Sequence, residues 1–257
     1  MVKGLYTAYT GMVHQQKRMD TITNNLANAT TTGFKREGLS SVSFREMLGI
    51  KIKDLTVPYL NEGIGQLSLG TKIGENYTDY SQGSFKETEN TYDLAIQGDG
   101  FFVISYTDKH GNQSLKYTRD GEFTTDVDGT LRTLEGDYVQ GESGDIVIPP
   151  GAAKVDINVH GEIYADEEYI DTIQMTDFED YNYIKKFGEN LYELVDGGVE
   201  KEAEGRIYQG YLEMSNINVV NEMVEMITIS RAYESNQKLI QTHDSMLEKS
   251  VNDIGRV

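Results

Sequence analysis

Residues 124–133 read Thr-Thr-Asp-Val-Asp-Gly-Thr-Leu-Arg-Thr, or TTDVDGTLRT. The string from Asp126 to Leu131 admits two readings, and they imply different folds. Two carboxylates one residue apart, at the carboxyl end of an apolar parallel strand, are the nucleophile and acid/base of an Mg²⁺-dependent phosphatase built on an α/β fold. Asp128-Gly129 is also a strong short hairpin signal, because a type I′ turn needs positive φ at both central residues. That reading demands antiparallel strands. The flanks decide between them. Glu122-Phe123-Thr124-Thr125 alternates instead of running apolar, Leu131 and Thr133 alternate after the turn, and no train of βα units follows. The expectation is a hairpin turning at Asp128-Gly129, with Asp126 and Asp128 as polar residues on an exposed turn and no catalytic residue.

The same pattern extends outward. Residues 85–212 are rich in Tyr, Phe, Ile, Val and Thr, with turn signals at 98–100 (GDG), 109–112 (KHGN), 119–121 (RDG), 127–129 (VDG) and 135–137 (EGD). Strands are expected at 92–97, 101–106, 115–118, 122–125, 130–134, 146–148, 155–159, 163–165, 170–178 and 190–195. Together they make an antiparallel β domain. The GDG lacks the oxygen-ligand spacing of a calcium loop and reads as a tight turn.

Both ends of the chain switch to helical periodicity. Leu5, Ala8, Met12, Gln15, Met19, Ile22, Leu26 and Ala29 recur at alternating threes and fours, a heptad seam broken only by Gln15. Asn28 and Thr30 to Gly33 should stop that helix. Val219, Met226, Tyr233, Ile240, Leu247 and Ile254 fall at sevens, Met223 and Val251 fill intervening positions, and no Gly or Pro interrupts 218–253. Asn216 and Asn218 are candidate caps. The expected class is mixed α and β, elongated, with the two terminal helices paired as a coiled-coil domain and the antiparallel β domain inserted between them. The expected division is 1–34 for the first helix, 35–84 for an extended linker with short strands, 85–212 for the β domain and 213–257 for the second helix.

Composition narrows the chemistry. The net charge of −19 argues against nucleic acid as a partner, since such binding rests on phosphate neutralisation. The charge is uneven: residues 1–57 carry 8 Lys/Arg against 4 Asp/Glu, whereas 58–214 carry 11 against 32. That acidic middle reads as a solvated face that keeps monomers apart before assembly. With no cysteine there is no disulfide or thiolate site, and His14, His110, His160 and His243 show no metal-ligand spacing. No metal, cofactor or small-molecule substrate is expected. No apolar run is long enough for a membrane span, and the first residues lack the apolar core of a cleaved secretory signal.

Three stretches carry a family resemblance. Asn24-Asn25-Leu26-Ala27-Asn28-Ala29-Thr30-Thr31-Thr32-Gly33-Phe34-Lys35 resembles the N-terminal signature of bacterial flagellar axial proteins. Asp93-Leu94-Ala95-Ile96-Gln97-Gly98-Asp99-Gly100-Phe101-Phe102, followed by Tyr117-Thr118-Arg119-Asp120-Gly121, resembles their middle motif. Gln209-Gly210-Tyr211-Leu212-Glu213-Met214-Ser215-Asn216-Ile217-Asn218-Val219-Val220, leading to Arg231-Ala232-Tyr233-Glu234, resembles the closing helix of the rod proteins. The matches run in order across nearly the whole chain. The C-terminal stretch is most similar to the distal-rod type, and the middle motifs also fit the proximal type.

What the resemblance implies is a structural subunit of the flagellar basal-body rod. Terminal helices would line a hollow axial tube, and the β domain would lie outside them. The partners implied are further copies of the chain in a helical homo-oligomer, other rod and hook subunits, and the flagellar type III export apparatus, which needs no cleaved signal. The location implied is the basal body where it crosses the cell wall and periplasm. The residues expected at the assembly interface are Leu5, Met12, Met19, Ile22, Asn24, Asn25, Leu26 and Asn28 near the N-terminus, and Val219, Met223, Met226, Tyr233, Ile240, Leu247 and Val251 near the C-terminus. The asparagines would hydrogen-bond at subunit contacts or to the following loop. A surface adhesin with coiled-coil ends would share this architecture without the three motifs.

Overall fold

A computed structural model describes residues 2–44, 47–50, 63–67, 70–152, 154–188 and 190–254. Residues 51–62 of the expected linker lie outside the described residues, as does the side chain of Ile254. The chain is mixed α and β, with two long helices at its ends and strands between them. It divides into two compact units: residues 1–27, 37–79 and 218–257 form one, and residues 28–36 and 80–217 form the other.

The first unit holds both helices. α1 spans Val2–Ala27 and α2 spans Val219–Lys249, followed by one π-helical turn at Ser250–Ile254. At about 1.5 Å per residue, the 31 residues of α2 extend about 46 Å. Asn218 caps α2: it is extended, and its side chain accepts from the Asn221 amide at 3.1 Å. Asn216, the other candidate cap, serves a different segment. Glu37–Ser43 pairs antiparallel with Thr71–Thr78, and Met47–Ile50 pairs with Gly63–Leu67.

The second unit is an antiparallel β assembly. Its largest sheet runs Ile184–Phe187, Leu191–Leu194, Gln113–Thr118, Phe101–Thr107, Tyr138–Gly141, Leu131–Thr133 and Phe123–Thr125, each strand antiparallel to its neighbour. Met175–Phe178 shares the edge of Phe101–Thr107 with Tyr138–Gly141. A three-stranded sheet (Val155–Ile157, Glu162–Ala165, Glu168–Thr172) and two pairs (Leu94–Gln97 with Arg206–Gln209, Phe85–Glu87 with Tyr211–Glu213) complete it.

Phe101–Thr107 explains why its sequence does not alternate. It is central and buries both faces. Phe101 and Val103 join Tyr117, Phe178, Ile184 and Tyr192 in an aromatic cluster, whereas Phe102 joins the aliphatic core with Leu94, Phe123, Leu131 and Ile163.

The hairpin at 123–133 is present, with Thr125 opposite Leu131 and Phe123 opposite Thr133. Phe123 and Leu131 point into the core. The turn is not type I′. Asp128 is absent from the residues with positive φ, and Gly129 alone has it, at 83°. The Gly129 amide donates to the Asp126 carbonyl at 2.9 Å and the Asp126 amide to the Thr130 carbonyl at 3.0 Å, the pattern of a longer loop with a glycine bulge. The reason is local: Val127-Asp128-Gly129 fill a three-residue loop, which needs positive φ only at its last residue, and Ile148 lies against that glycine, its amide donating to the Gly129 carbonyl at 2.8 Å. Asp126 is half-buried, not solvent-exposed as expected, because Arg132 pairs with its carboxylate at 2.7 Å. The two-residue I′ geometry occurs instead at Asp166 (φ 49°) and Glu167 (φ 72°), joining Glu162–Ala165 to Glu168–Thr172.

Two further strands differ from expectation. Residues 146–148 form only an isolated bridge, Val147 to Thr130, before Pro149 and Pro150, whose missing donors end pairing. Residues 170–178 are two strands, broken at Ile173 and Gln174.

Candidate assembly interface

Seven-residue recurrence organises the contact between α1 and α2. A β-carbon added to Gly4 would lie 3.0 Å from His243 Nε2, and one added to Gly11 would lie 3.1 Å from Asn236 Nδ2. Fourteen residues further along α1, Asn25 Nδ2 donates to Glu222 Oε2 at 3.4 Å, fourteen residues back along α2. The helices therefore pack antiparallel. Glycine in a helix interior costs about 1 kcal/mol relative to alanine, and here it permits close approach. Arg18 pairs with Glu225 between these points.

The expected interface residues fall into two groups. Ile22 and Asn25 are buried, while Leu5, Met12, Met19, Leu26, Met226, Tyr233, Ile240 and Leu247 are half-buried. Val219, Met223 and Val251 are exposed, Met223 at 48 % and Val251 at 69 %. Val220, Val224, Ile227, Leu239 and Met246 are exposed with them. The sevenfold line recorded against α1 includes Glu222, Asn236 and His243, with Ile229 buried between. That line lies one residue before the Met223 line of the sequence reading. Sequence reasoning missed it because it is mostly polar; its signal was the regular spacing of 222, 229, 236 and 243.

Asn25 is also bonded twice to Glu37, donating to its carbonyl at 2.8 Å and accepting from its amide at 3.0 Å. His14 is 2.7 Å from Ser41 Oγ, and burial, reinforced by the Arg18 charge, lowers its pKa below 6.5. Asn24 is exposed. Asn28 belongs to the other unit, where its carbonyl accepts from the Thr31 amide at 3.2 Å.

In the second unit the three motifs converge on one buried carboxylate. Glu213 Oε1 accepts from Lys35 Nζ at 2.6 Å and from the Gly83 amide at 2.8 Å, and Oε2 accepts from Arg119 Nη1 at 3.2 Å. Lys35 and Glu213 side chains are each 1 % exposed and Arg119 is 3 %. Gly33 has φ 66°, and a β-carbon there would collide with the backbone at Arg119 and Asp120. The glycine of the first motif is thus required by a crossing with the second. Thr32 Oγ1 donates to Asp120 Oδ1 at 2.7 Å and Asn190 Nδ2 to Oδ2 at 3.1 Å. Burial nevertheless raises the Asp120 carboxyl above 3.8, against those hydrogen bonds and with help from Asp93. Lys35, Arg119 and Glu213 lay inside the quoted motifs, but nothing local marked them as partners.

Asp126 is engaged by Arg132 and by its own loop, where its carboxylate accepts from the Val127 amide at 2.7 Å. It stands at a hairpin loop, not at the end of a parallel strand. Among the described residues no cluster of His, Asp or Glu is arranged to hold a metal ion, and no helix is long and apolar enough to cross a membrane.

The chain is similar to known proteins along its whole length. Residues 5–35 match a family described as flagella basal body rod protein, residues 95–165 the flagellar hook protein FlgE/F/G D1 domain, and residues 208–254 the flagellar basal body rod FlgEFG protein C-terminal family. It is 36 % identical to the flagellar basal-body rod protein FlgG of Buchnera aphidicola subsp. Schizaphis graminum, over 97 % of this chain and 98 % of that one. It is 34 % identical to FlgG of Bacillus subtilis, over 98 % and 99 %. It is 31 % identical to the flagellar basal-body rod protein FlgF of Caulobacter vibrioides, over the full length of both chains.

Proposed function

The chain belongs to the flagellar basal-body rod protein family, and from that premise we propose that it is a distal-rod subunit that polymerises into a hollow axial shaft passing torque from motor to hook. The observation that carries the assembly step is the apolar face left open on α2. Val220, Met223, Val224 and Ile227 are about half exposed or more, with Val219 partly exposed beside them. Contiguous exposed apolar surface marks a protein–protein contact. The sevenfold recurrence of α1–α2 contacts supports a coiled-coil reading of the helix pair. The partners on this reading are other copies of the chain and neighbouring rod and hook subunits, and delivery is by the flagellar export apparatus. Heterologous contacts that do not close would generate a helical polymer.

A strain lacking the gene, complemented with Met223→Glu or Ile227→Glu, tests this. The purified variants should keep wild-type melting temperatures while basal bodies lack rod beyond the point of incorporation and cells do not swim. Normal rods in both variants would overturn the reading. The alternative is the proximal type, which the 31 % identity to the Caulobacter FlgF over both full lengths keeps in view. Electron microscopy of basal bodies from the deletion strain separates the two, since the rod stops earlier if the proximal subunit is missing.

A further inference from the structure

We propose that Glu213 is the bolt of a clasp: its buried carboxylate fastens the segment that follows α1 to the segment that precedes α2, and both segments loosen in the β unit when it is removed. Residues 28–36 and 213–217 lie far apart in sequence and meet in the same unit. Three features of the site place the fastening on the carboxylate.

The first is how completely it is used. Lys35, Arg119 and the Gly83 amide all donate to it, at 2.6, 3.2 and 2.8 Å. The second is that the bonds around it cross-link the same segments. The Gly33 amide donates to the Glu213 backbone carbonyl at 2.8 Å, the Arg36 amide to Asn216 Oδ1 at 2.8 Å, and Lys35 Nζ and Asn216 Nδ2 both donate to the Ser81 carbonyl, at 2.9 and 3.1 Å. The third is charge. Lys35 and Arg119 are almost wholly buried. Two cations in that setting are tolerated only with a carboxylate between them, because an unpaired buried charge is strongly destabilising. Pairing of residues 211–213 with Phe85–Glu87 is what brings this carboxylate to Lys35 and Arg119. A charged clasp of this kind is all-or-none: removing the anion is worse than removing all three charges together, since a buried ion set can be replaced by apolar groups at little cost.

The clasp stands on the geometry of the β unit alone and does not depend on the rod reading. Hydrogen exchange on the full-length purified protein tests it. The reporters are the Gly33 and Arg36 amides, whose acceptors are the Glu213 backbone and Asn216, so no mutated side chain removes their bonds directly. In Glu213→Gln these amides should exchange at least about tenfold faster than in wild type, while amides of Phe101–Thr107 keep their protection. In the triple variant Lys35→Met, Arg119→Met, Glu213→Met the excess should largely disappear. Unchanged exchange at Gly33 and Arg36 in Glu213→Gln would overturn the clasp, and so would a triple variant exchanging there as fast as the single one. If Glu213→Gln does not fold, the triple variant decides: folding with both amides protected supports the clasp, and failure to fold refutes it.

Discussion

Gly11 of α1 lies so close to Asn236 of α2 that a β-carbon would sit 3.1 Å from the amide nitrogen of that side chain. The neighbour is the tip of a flexible side chain, so a single methyl is accommodated by a small rotation. Gly11→Ala should therefore be neutral or stabilise by up to about 1 kcal/mol through helix propensity. Gly11→Leu should force α1 and α2 apart and cost about 1–3 kcal/mol. Chemical denaturation followed by far-ultraviolet circular dichroism distinguishes the two, and equal effects would mean that close approach is not what the glycine serves.

Arg18 and Glu225 pair at a position where both side chains are about one-third exposed. Solvent screens such a pair, and Arg18→Ala should cost about 0.5 kcal/mol, falling further in high salt. Melting curves at low and high ionic strength should converge for wild type and variant.

Gly129 and Asp126 share one loop and differ in what holds them. Gly129→Val meets a positive φ and the backbone of Ile148 at once, so it should cost at least about 3 kcal/mol and lower the melting temperature of the β unit sharply. Asp126→Asn loses only a partly exposed pair with Arg132 and should cost less than about 1 kcal/mol. A phosphatase assay with Mg²⁺ on wild type and Asp126→Asn should give no difference.

Asp120 makes stability depend on pH. Burial raises its folded pKa above 3.8, so the folded state binds this proton more tightly than the unfolded chain does. Its contribution is full below about pH 3.8 and is lost as pH rises through the raised value. In Asp120→Asn that loss should vanish, which shows as a flatter melting temperature between pH 4 and pH 6, on the order of the carboxylate range. The substitution is chemically accommodated, because Asn190 Oδ1 is buried without a partner and can accept from the new amide after a flip.

The helices, the antiparallel character of the middle and the hairpin at 123–133 were legible because each is written in local periodicity and turn residues. Less of the detail was. Residues 146–148 looked like a strand because Ile146 and Ile148 are apolar, yet they are buried by a loop that crosses the 126–130 turn. Tyr138–Gly141 passed unnoticed among glycines and polar residues, since its place in the sheet comes from pairing with Phe101–Thr107. The turn type differed for a local reason: Gly129 supplies the one positive φ that a three-residue loop needs, so Asp128 does not take one.

Sequence alone determined the two terminal helices, the antiparallel character of the middle and the family motifs they carry, because period, turn chemistry and composition act over a few residues. Tertiary structure decided the rest. Both lines of a heptad can face a partner, and sequence favoured the apolar one; packing set Asn236 and His243 against the glycines of α1 and Glu222 against Asn25, and left Met223 and Val251 open. In the same way, nothing near Lys35 names its anion. Glu213 lies 178 residues away, and only the closing of the β unit brings the two within 2.6 Å, where burial makes their pairing obligatory.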